Sequence, residues 1–387
     1  MGPLGLALAP AAWAYRAGAL GREMAYARGW LARGRLACPV VSVGNLTVGG
    51  TGKTPAVEMV ARWLADEGHR VAIVSRGYGR RPQAPVELVS DGGAPRLSAE
   101  RAGDEPVLLA RRLPGVAIVV GADRLAAGRW TVANLRPDVV VLDDGFQQRR
   151  LLKDVEIVCL DARIPWGPGG LFPRGTLREP PSALGRAHLV IVTRADPRRS
   201  LAGFLEEIGL HAGPARCLLT EYAVEDLQDL YSGAPVPIET LRNRSVLAFA
   251  GIAAPERLGE TLTAQGAIVR DTVAFPDHHG YGPGDLAAVT RRARAVGAGL
   301  VVTTEKDAVR LAGLSGGVAA DGSATRGQDG EGPLPLLALR VRLAPIESAP
   351  GTSDHGVPER SRAADAWWAE LRARVEAART AHPETSR

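Results

Sequence analysis

The chain has 387 residues, of which 45% are hydrophobic and 23% charged, with a net charge of +5. That length holds two ordinary domains with a substantial core, and the composition excludes a disordered chain. The three cysteines, Cys38, Cys159 and Cys217, form no CxxC pair, which excludes a disulfide framework or cysteine zinc site and suits a reducing compartment.

The mild basic excess suits an anionic partner such as a nucleotide, a phospholipid or a nucleic acid, without choosing among them. The opening run Met1 to Tyr15 carries no charged side chain. It is too short to span a bilayer, contains Pro10, and is followed by no signal-peptidase-like site. Arg16, Arg22, Arg28, Arg33 and Arg35 then face a single acid, Glu23, with Trp13, Tyr15, Tyr26 and Trp30 among or just before them. Apolar body, aromatic anchors and arginines describe a helix lying in a membrane interface. The competing reading is an amphipathic helix packed on the protein's own core.

Short apolar strands are predicted at residues 40–43, 70–75, 116–120, 138–144, 155–161 and 188–196, with a helix at 55–66 after the first. Strands alternating with helical stretches predict a parallel α/β sheet. A second alternating region runs from Arg244 to Leu343, with strands at 245–251, 267–275, 300–305 and 336–343. Residues 314–333 are glycine-rich and polar, as in a surface insertion, and 365–380 reads as a final helix.

The strongest motif is VVSVGNLTVGGTGKTP at 40–55. Gly49, Gly50 and Gly52 permit a nest of backbone N–H groups around phosphate oxygens. Lys53 can reach the β- and γ-phosphates, the Thr54 hydroxyl can ligate magnesium, and a helix N-terminus adds its dipole. The pattern G-x-x-x-x-G-K-[ST] wants glycine at 47, where this chain has Thr47. An apolar strand ending in Asp143 and Asp144 comes next, where a P-loop enzyme holds its magnesium, although DDG also makes an ordinary turn. Asp104 and Glu105 open the segment AGDEPVLLARR, either as helix-capping acids or as site groups. FPDHHGY (275–281) holds two of the seven histidines after a strand end, either as proton carriers or as a polar loop. TTEKDAVRL (303–311) carries Lys306. It could anchor an anion or simply pair with Asp307.

Only three of the 47 basic residues are lysines, Lys53, Lys153 and Lys306. A lysine kept in an arginine background marks a place that needs a compact ammonium, and two of the three fall in the motifs above.

In combination, VGNLTVGGTGKTP, SRGYGRR (75–81), AGDEPVLLARR, VGADR (120–124), LDDGFQ (142–147), LREP (177–180), TRADP (193–197), FPDHHGY and TTEKDAV resemble the tetraacyldisaccharide 4′-kinase family, in the family's order from about residue 39 to 345. The resemblance implies a P-loop kinase domain, a smaller α/β domain and an N-terminal membrane-interface helix. The corresponding division is 1–36, 37–220, 221–345 and a tail of 346–387. It implies ATP and Mg2+ bound by Gly49, Gly50, Thr51, Gly52, Lys53 and Thr54, with Asp143 and Asp144 completing the metal site. It further implies that Asp104 and His278 meet and activate a sugar hydroxyl, and that Asn45, Tyr78, Glu105, Arg124, Gln147, Arg178 and Glu179 line the site. The implied partners are an acylated disaccharide 1-phosphate lipid and the cytoplasmic face of a bacterial inner membrane, not nucleic acid. Gln148 stands where the family has histidine, and the 314–333 insertion has no family counterpart. Two rival readings are a soluble GTPase, from VTRAD (192–196) with Arg194 in place of the usual lysine, and a membrane scaffold with a relic nucleotide site.

Overall fold

The protein is described by a computed structural model over residues 9–312, 334–346 and 358–382, apart from 197, 199, 214 and 253. The glycine-rich insertion at 314–333 and the first eight residues of the apolar run lie outside the described residues.

One mixed sheet of thirteen strands forms the backbone of the molecule. Its buried centre is β1 (Val40–Asn45), β2 (Val71–Ser75), β4 (Ala117–Gly121), β5 (Val139–Asp143), β6 (Val155–Asp161) and β7 (Leu189–Thr193). These strands pair in parallel in the order β4-β2-β5-β1-β6-β7. Each is buried along its whole length, which is why each reads as a continuous apolar run rather than an alternating one.

The sequence reading missed three strands. β3 (Val86–Asp91) closes the sheet as an antiparallel edge on β4. β8 (Arg216–Asp229) begins parallel to β7 and continues antiparallel to β13 (Leu336–Pro345). β9 (Pro235–Val236) pairs with β8. From β13 the sheet continues in parallel through β12 (Leu300–Thr304) and β10 (Ser245–Ala250) to β11 (Ile268–Ala274). β8 therefore joins the two alternating regions into one sheet, and residue 220 falls inside it.

The helices cover both faces. In chain order they are α1 (Ala9–Ala27), α2 (Lys53–Asp66), α3 (Ala99–Ala102), α4 (Asp104–Arg112), α5 (Arg124–Leu135), α6 (Ala202–Ala212), α7 (Glu256–Ala264), α8 (Pro283–Ala295), α9 (Glu305–Leu311) and α10 (Pro358–Ala381). α10 begins earlier than the expected residue 365. It buries Trp367, Leu371 and Val375 in the core beneath α2 and α4. The Trp367 indole donates to Val190 O at 3.1 Å, and Trp368 stacks on Trp63 at 4.8 Å. A fully buried indole contributes roughly 3–5 kcal/mol against alanine, so α10 is a fastened part of the sheet's cover.

α1 lies across the loops that follow β5 and β6. The Tyr15 hydroxyl donates to Arg178 O at 3.2 Å, and Glu23 pairs with Arg149 at 2.9 Å. Trp13 and Trp30 remain about 70% exposed, at 67% and 71%. Arg16 sits over Trp13 and Arg28 over Trp30. Among the described residues no helix is long and apolar enough to cross a membrane.

The carboxyl ends of β1, β2, β5 and β7 open on one edge of the sheet, where parallel α/β folds place their ligands; β10, β11 and β12 run the opposite way, and contacts of His278, Lys306 and Arg310 with Asp104 and Glu105 bring the residues after β11 and β12 to that edge. Each sequence motif singled out above sits in a loop or helix start on that edge.

Candidate active site

β1 ends at Asn45, and the chain turns back over it to start α2 at Lys53. The turn needs left-handed backbone at Gly49 (φ 117°) and Gly52 (φ 84°). At Gly52 a Cβ would also stand 2.6 Å from the Tyr222 hydroxyl, so both conformation and space demand glycine. Thr47 is tolerated because its backbone takes no left-handed turn and instead bridges to Leu177. The Asn45 amide donates to Thr47 O and Thr51 Oγ1, both at 2.7 Å, and binds the loop to its own strand. Lys53 Nζ donates to Asn45 Oδ1 at 3.2 Å and lies 3.4 Å from Asp144 Oδ1. Thr54 follows in the first turn of α2 and is buried.

β5 delivers Asp143 and Asp144 beside this loop. The two carboxylates are treated differently. Ser75 Oγ donates to Asp143 Oδ2 at 2.7 Å, while Asp143 Oδ1 is buried with no partner. Burial, and next the charge of Glu105, push the Asp143 carboxyl up to about 6. Burial works the same way on Asp144, but Lys53 and Arg178 outweigh it and hold that carboxyl below its ordinary value. Arg178 Nη1 reaches both Asp144 oxygens at 2.8 Å. Gln147 closes the ring, accepting from Arg178 at 3.4 Å and donating to Asn45 O at 3.0 Å.

An orphaned, buried carboxylate oxygen next to a second carboxylate and a helix-start hydroxyl is a donor set for a hard cation. The residues present fit magnesium. Among the described residues no group of three or more His, Cys, Asp or Glu side chains could hold a metal alone.

The second cluster assembles across the sheet. His278, in the loop after β11, places Nδ1 3.1 Å from Asp104 Oδ2 at the start of α4. Asp104 is buried, whereas the His278 side chain is 46% exposed. Two helical cations four residues apart on α9 meet the two adjacent acids of α4. Arg310 donates to Asp104 Oδ2 through Nη2 at 2.7 Å and Nε at 3.1 Å, and Lys306 bonds Glu105. Burial alone would raise Asp104, but hydrogen bonds from His278 and Arg310, with the charges of Arg310 and Lys306, hold it well below the carboxylate range. The bond to Asp104 raises the His278 imidazole, against burial. Glu105 links the clusters, since its charge acts on Asp143 and the charge of Lys53 acts on it.

Among the described residues, five non-glycine residues have positive φ, and three of them, Asp144, Arg194 and His278, belong to this edge. Strained backbone held in place by its surroundings clusters at functional sites.

The other expected residues are spread around the clusters. Tyr78 is 75% exposed, its ring 6.2 Å from that of His278. Gly50 has open space beside it and its carbonyl accepts from Arg194 at 3.0 Å. Arg124 is buried and turned onto its own loop, donating to Gly121 O and Ala122 O. Glu179 pairs with Arg149 and Arg186 rather than facing Lys53. Lys153 bonds Glu156 at 2.8 Å and donates to Gly145 O at 3.2 Å, so it holds the turn after Asp144 from beneath.

Two participants, Ser75 and Arg310, escaped the sequence reading, and a third, Arg194, was noted there only for its place in VTRAD. Ser75 ends β2 inside SRGYGRR with nothing to mark its hydroxyl. Arg194 spends its guanidinium on Gly50 O and Asp161, the latter at 2.6 Å, bracing the glycine loop instead of serving base recognition. Arg310 could have been found: four residues after Lys306 on a helix, it lies on the same face.

Comparison with known proteins agrees with the geometry. The family profile for tetraacyldisaccharide-1-P 4′-kinase matches residues 4–333. A tetraacyldisaccharide 4′-kinase of Anaeromyxobacter dehalogenans (strain 2CP-C) is 49% identical over 312 residues, covering 80% of this chain and 81% of that protein. One from Syntrophus aciditrophicus (strain SB) is 44% identical over 308 residues, covering 77% and 82%. A crystal structure described as the apo form of LpxK from Aquifex aeolicus in complex with ATP superposes with a TM-score of 0.68 at 30% identity, covering 88% of this chain and 95% of that one.

Proposed function

The chain belongs to the tetraacyldisaccharide-1-P 4′-kinase family, and from that premise we propose that it moves the γ-phosphoryl group of ATP onto the 4′-hydroxyl of an acylated disaccharide 1-phosphate, with Asp104 and His278 taking the hydroxyl proton. As a kinase it binds ATP, and the glycine turn at 49–52 with Lys53 is the place for the triphosphate. The observation that carries the reading is the Asp104–His278 hydrogen bond at 3.1 Å, closed between residues 174 apart on the edge that also holds Lys53. A carboxylate that orients an imidazole is the arrangement of a general base.

Asp143, Asp144 and Thr54 would hold magnesium, which when bound neutralises charge on the phosphates and fixes their orientation. Lys53, now resting on Asn45 and Asp144, supplies the fixed positive charge toward the transferring group. Phosphoryl transfer needs little covalent help from the protein, so positioning and charge carry most of the rate. Arg178, bidentate on Asp144, keeps that acid directed at Lys53.

The exposed Trp13 and Trp30, each paired with an arginine on or beside α1, support a peripheral station on an anionic membrane surface, where the acceptor lipid resides. Changing both tryptophans to glutamate should release the protein from anionic vesicles in co-sedimentation, and unchanged binding would exclude this face as the contact.

The direct test is mass spectrometry of an acylated disaccharide 1-phosphate incubated with protein, ATP and magnesium. A gain of one phosphate on the distal sugar is expected. Loss of ATP without that product would reject the acceptor assignment.

A further inference from the structure

One guanidinium holds both members of the Asp104–His278 pair. Arg310 is buried, with 8% of its side chain exposed. Its Nε and Nη2 converge on Asp104 Oδ2, the same oxygen that meets His278 Nδ1. Its Nη1 turns the other way, to Gly251 O at 2.8 Å and Asp307 Oδ1 at 3.0 Å. Gly251 O also receives the backbone N–H of His278 at 3.2 Å. Asp307 in turn accepts from Gly251 N at 3.1 Å and from the Tyr281 hydroxyl at 2.9 Å. The carboxylate on α4 and the left-handed turn that presents His278 are thus held by the same side chain.

We propose that Arg310 is a positioning residue that holds Asp104 and the turn of His278 in register, so that Asp104 orients the imidazole. The inference rests on the kinase reading above.

The Asp104 oxygen that faces His278 is already fully occupied. Oδ2 takes three N–H contacts, from Arg310 twice and from His278, and Oδ1 accepts the Glu105 N–H at 2.9 Å. A proton arriving on Oδ2 would have to displace a donor in a buried place. The imidazole has no such obstacle, because its Nδ1 is spent on Asp104 and Nε2 lies on the half-exposed side, 4.0 Å from Asp277 Oδ1. In the transfer, the sugar oxygen forms a bond to the γ-phosphorus while the bond from that phosphorus to the β,γ-bridging oxygen breaks. Its electron pair leaves on ADP, and the hydroxyl proton passes to Nε2. The imidazolium so formed faces the Asp104 carboxylate.

Arg310 has a second effect. The charged groups around the pair are Asp104 and Glu105 on α4, Lys306, Asp307 and Arg310 on α9, and Asp277 beside His278 itself; His279 is turned to Asp285, the Tyr281 hydroxyl donates to Asp307, and the Tyr78 ring stands 6.2 Å from the imidazole. Asp104 and Asp277 draw a proton onto His278, and Arg310 opposes them. Without that cation the imidazole would hold its proton to higher pH and be a poorer acceptor near neutrality.

The test compares Arg310→Met and Arg310→Lys with the wild-type full-length protein, using kcat against pH and the titration of the His278 imidazole by NMR without substrate. For Arg310→Met, kcat at neutral pH should fall about 10²-fold, as for a misplaced catalytic group. Its acid limb and the His278 titration should both move to higher pH. Arg310→Lys keeps the charge but not the fork. Its limb and titration should stay at the wild-type position while kcat remains roughly tenfold or more below wild type. Apparent ATP affinity should change little in either variant. A uniform fall in activity across pH, with His278 titrating as in wild type in both variants, would overturn the proposal and leave Arg310 a structural residue. If Arg310→Met does not fold, Arg310→Lys alone decides, since wild-type kcat in that variant would refute any need for the fork. Should the wild-type protein form no phosphorylated lipid, the kinase reading fails, while the NMR titration still reports separately on whether Arg310 governs His278.

Discussion

The proposed phosphate cradle and the proposed proton-accepting pair are built in opposite ways. In the cradle, Asn45, Thr51 and Lys53 bond one another across at most eight residues, and a single turn of chain specifies the shape. The pair joins positions separated by 174 residues, and Arg310 adds a third segment 206 residues from Asp104. The cradle's own bonds need only β1 and α2, with Thr193 and Arg194 bracing it from the end of β7. The pair exists only once β8 and β13 have joined the two regions of the sheet. On the proposed roles, nucleotide binding would rest mainly on local structure and proton acceptance on long-range structure.

The sharpest way to separate the two is to remove one charge from each. Lys53→Ala deletes the cradle's fixed cation, and turnover should fall by about 10³-fold or more. ATP affinity should weaken with it, since the ammonium serves bound nucleotide and transition state alike. Activity within about tenfold of wild type, measured as labelled phosphate transferred to lipid, would break the assignment.

On the other side, Asp104→Ala and His278→Ala should each lower kcat about 10²–10⁴-fold with little change in ATP affinity. The double variant should cost little more than the worse single one, because residues acting as a unit are non-additive. Strictly additive losses in a double-mutant cycle would dissolve the pair into two separate contributions.

The same contrast explains how much was legible in the sequence. The P-loop, its strand and the paired aspartates were readable because their chemistry is local. The meeting of Asp104 with His278 came only from the family resemblance, since no spacing rule connects residues on separate helices and loops. Strands were missed where burial is partial. β8 carries Glu221, Glu225, Asp226 and Asp229 along an intermittently buried face, so it lacks the apolar run that marks β5. Its charge is neutralised elsewhere in the chain, as where Glu225 meets Arg112 at 2.6 Å. The scarcity of lysine was read as a need for a compact ammonium. All three lysines are at least partly buried in pairings that a compact ammonium suits, with Asp144, Glu156 and Glu105.

Lys153 tests that signal at smaller scale. Lys153→Met keeps the length and burial but strips the donor from Gly145 O and Phe146 O and the partner from Glu156. A buried unpaired acceptor costs about 1–3 kcal/mol. Stability in denaturant should fall by that order, and nucleotide affinity should weaken only modestly because the cradle's own bonds survive. A loss of turnover rivalling that of Lys53→Ala would show that Lys153 belongs to the chemistry.

The smallest effect concerns the pair as a contributor to stability. The folded His278 imidazole is raised above its ordinary 6.5, with the bond to Asp104 the largest cause. Below about pH 6.5 the ring is protonated folded or unfolded, and its attraction to Asp104 counts in full. As pH rises through the raised folded-state value, the ring loses its charge and the contribution fades. Asp104 behaves oppositely: its carboxyl is depressed below 3.8, so its contribution is present above that value and is lost only on strong acidification. The pair therefore stabilises most from about pH 4 to about pH 6.5, and the contribution is lost as pH rises from there through the raised imidazole value. His278 is nearly half exposed, so solvent screens the attraction and at most about 1 kcal/mol is expected. Because Asp143 also titrates near 6, the wild-type curve alone would mix two effects. The measurement is the difference in denaturant unfolding free energy between wild type and His278→Gln, which leaves Asp143 in place in both proteins. That difference should be largest near pH 5.5 and shrink by pH 8.5. A difference that is flat with pH, or that grows toward alkaline pH, would mean that the imidazole and Asp104 do not share charge in the folded protein, and the pair would then have to act as a neutral hydrogen bond at every pH.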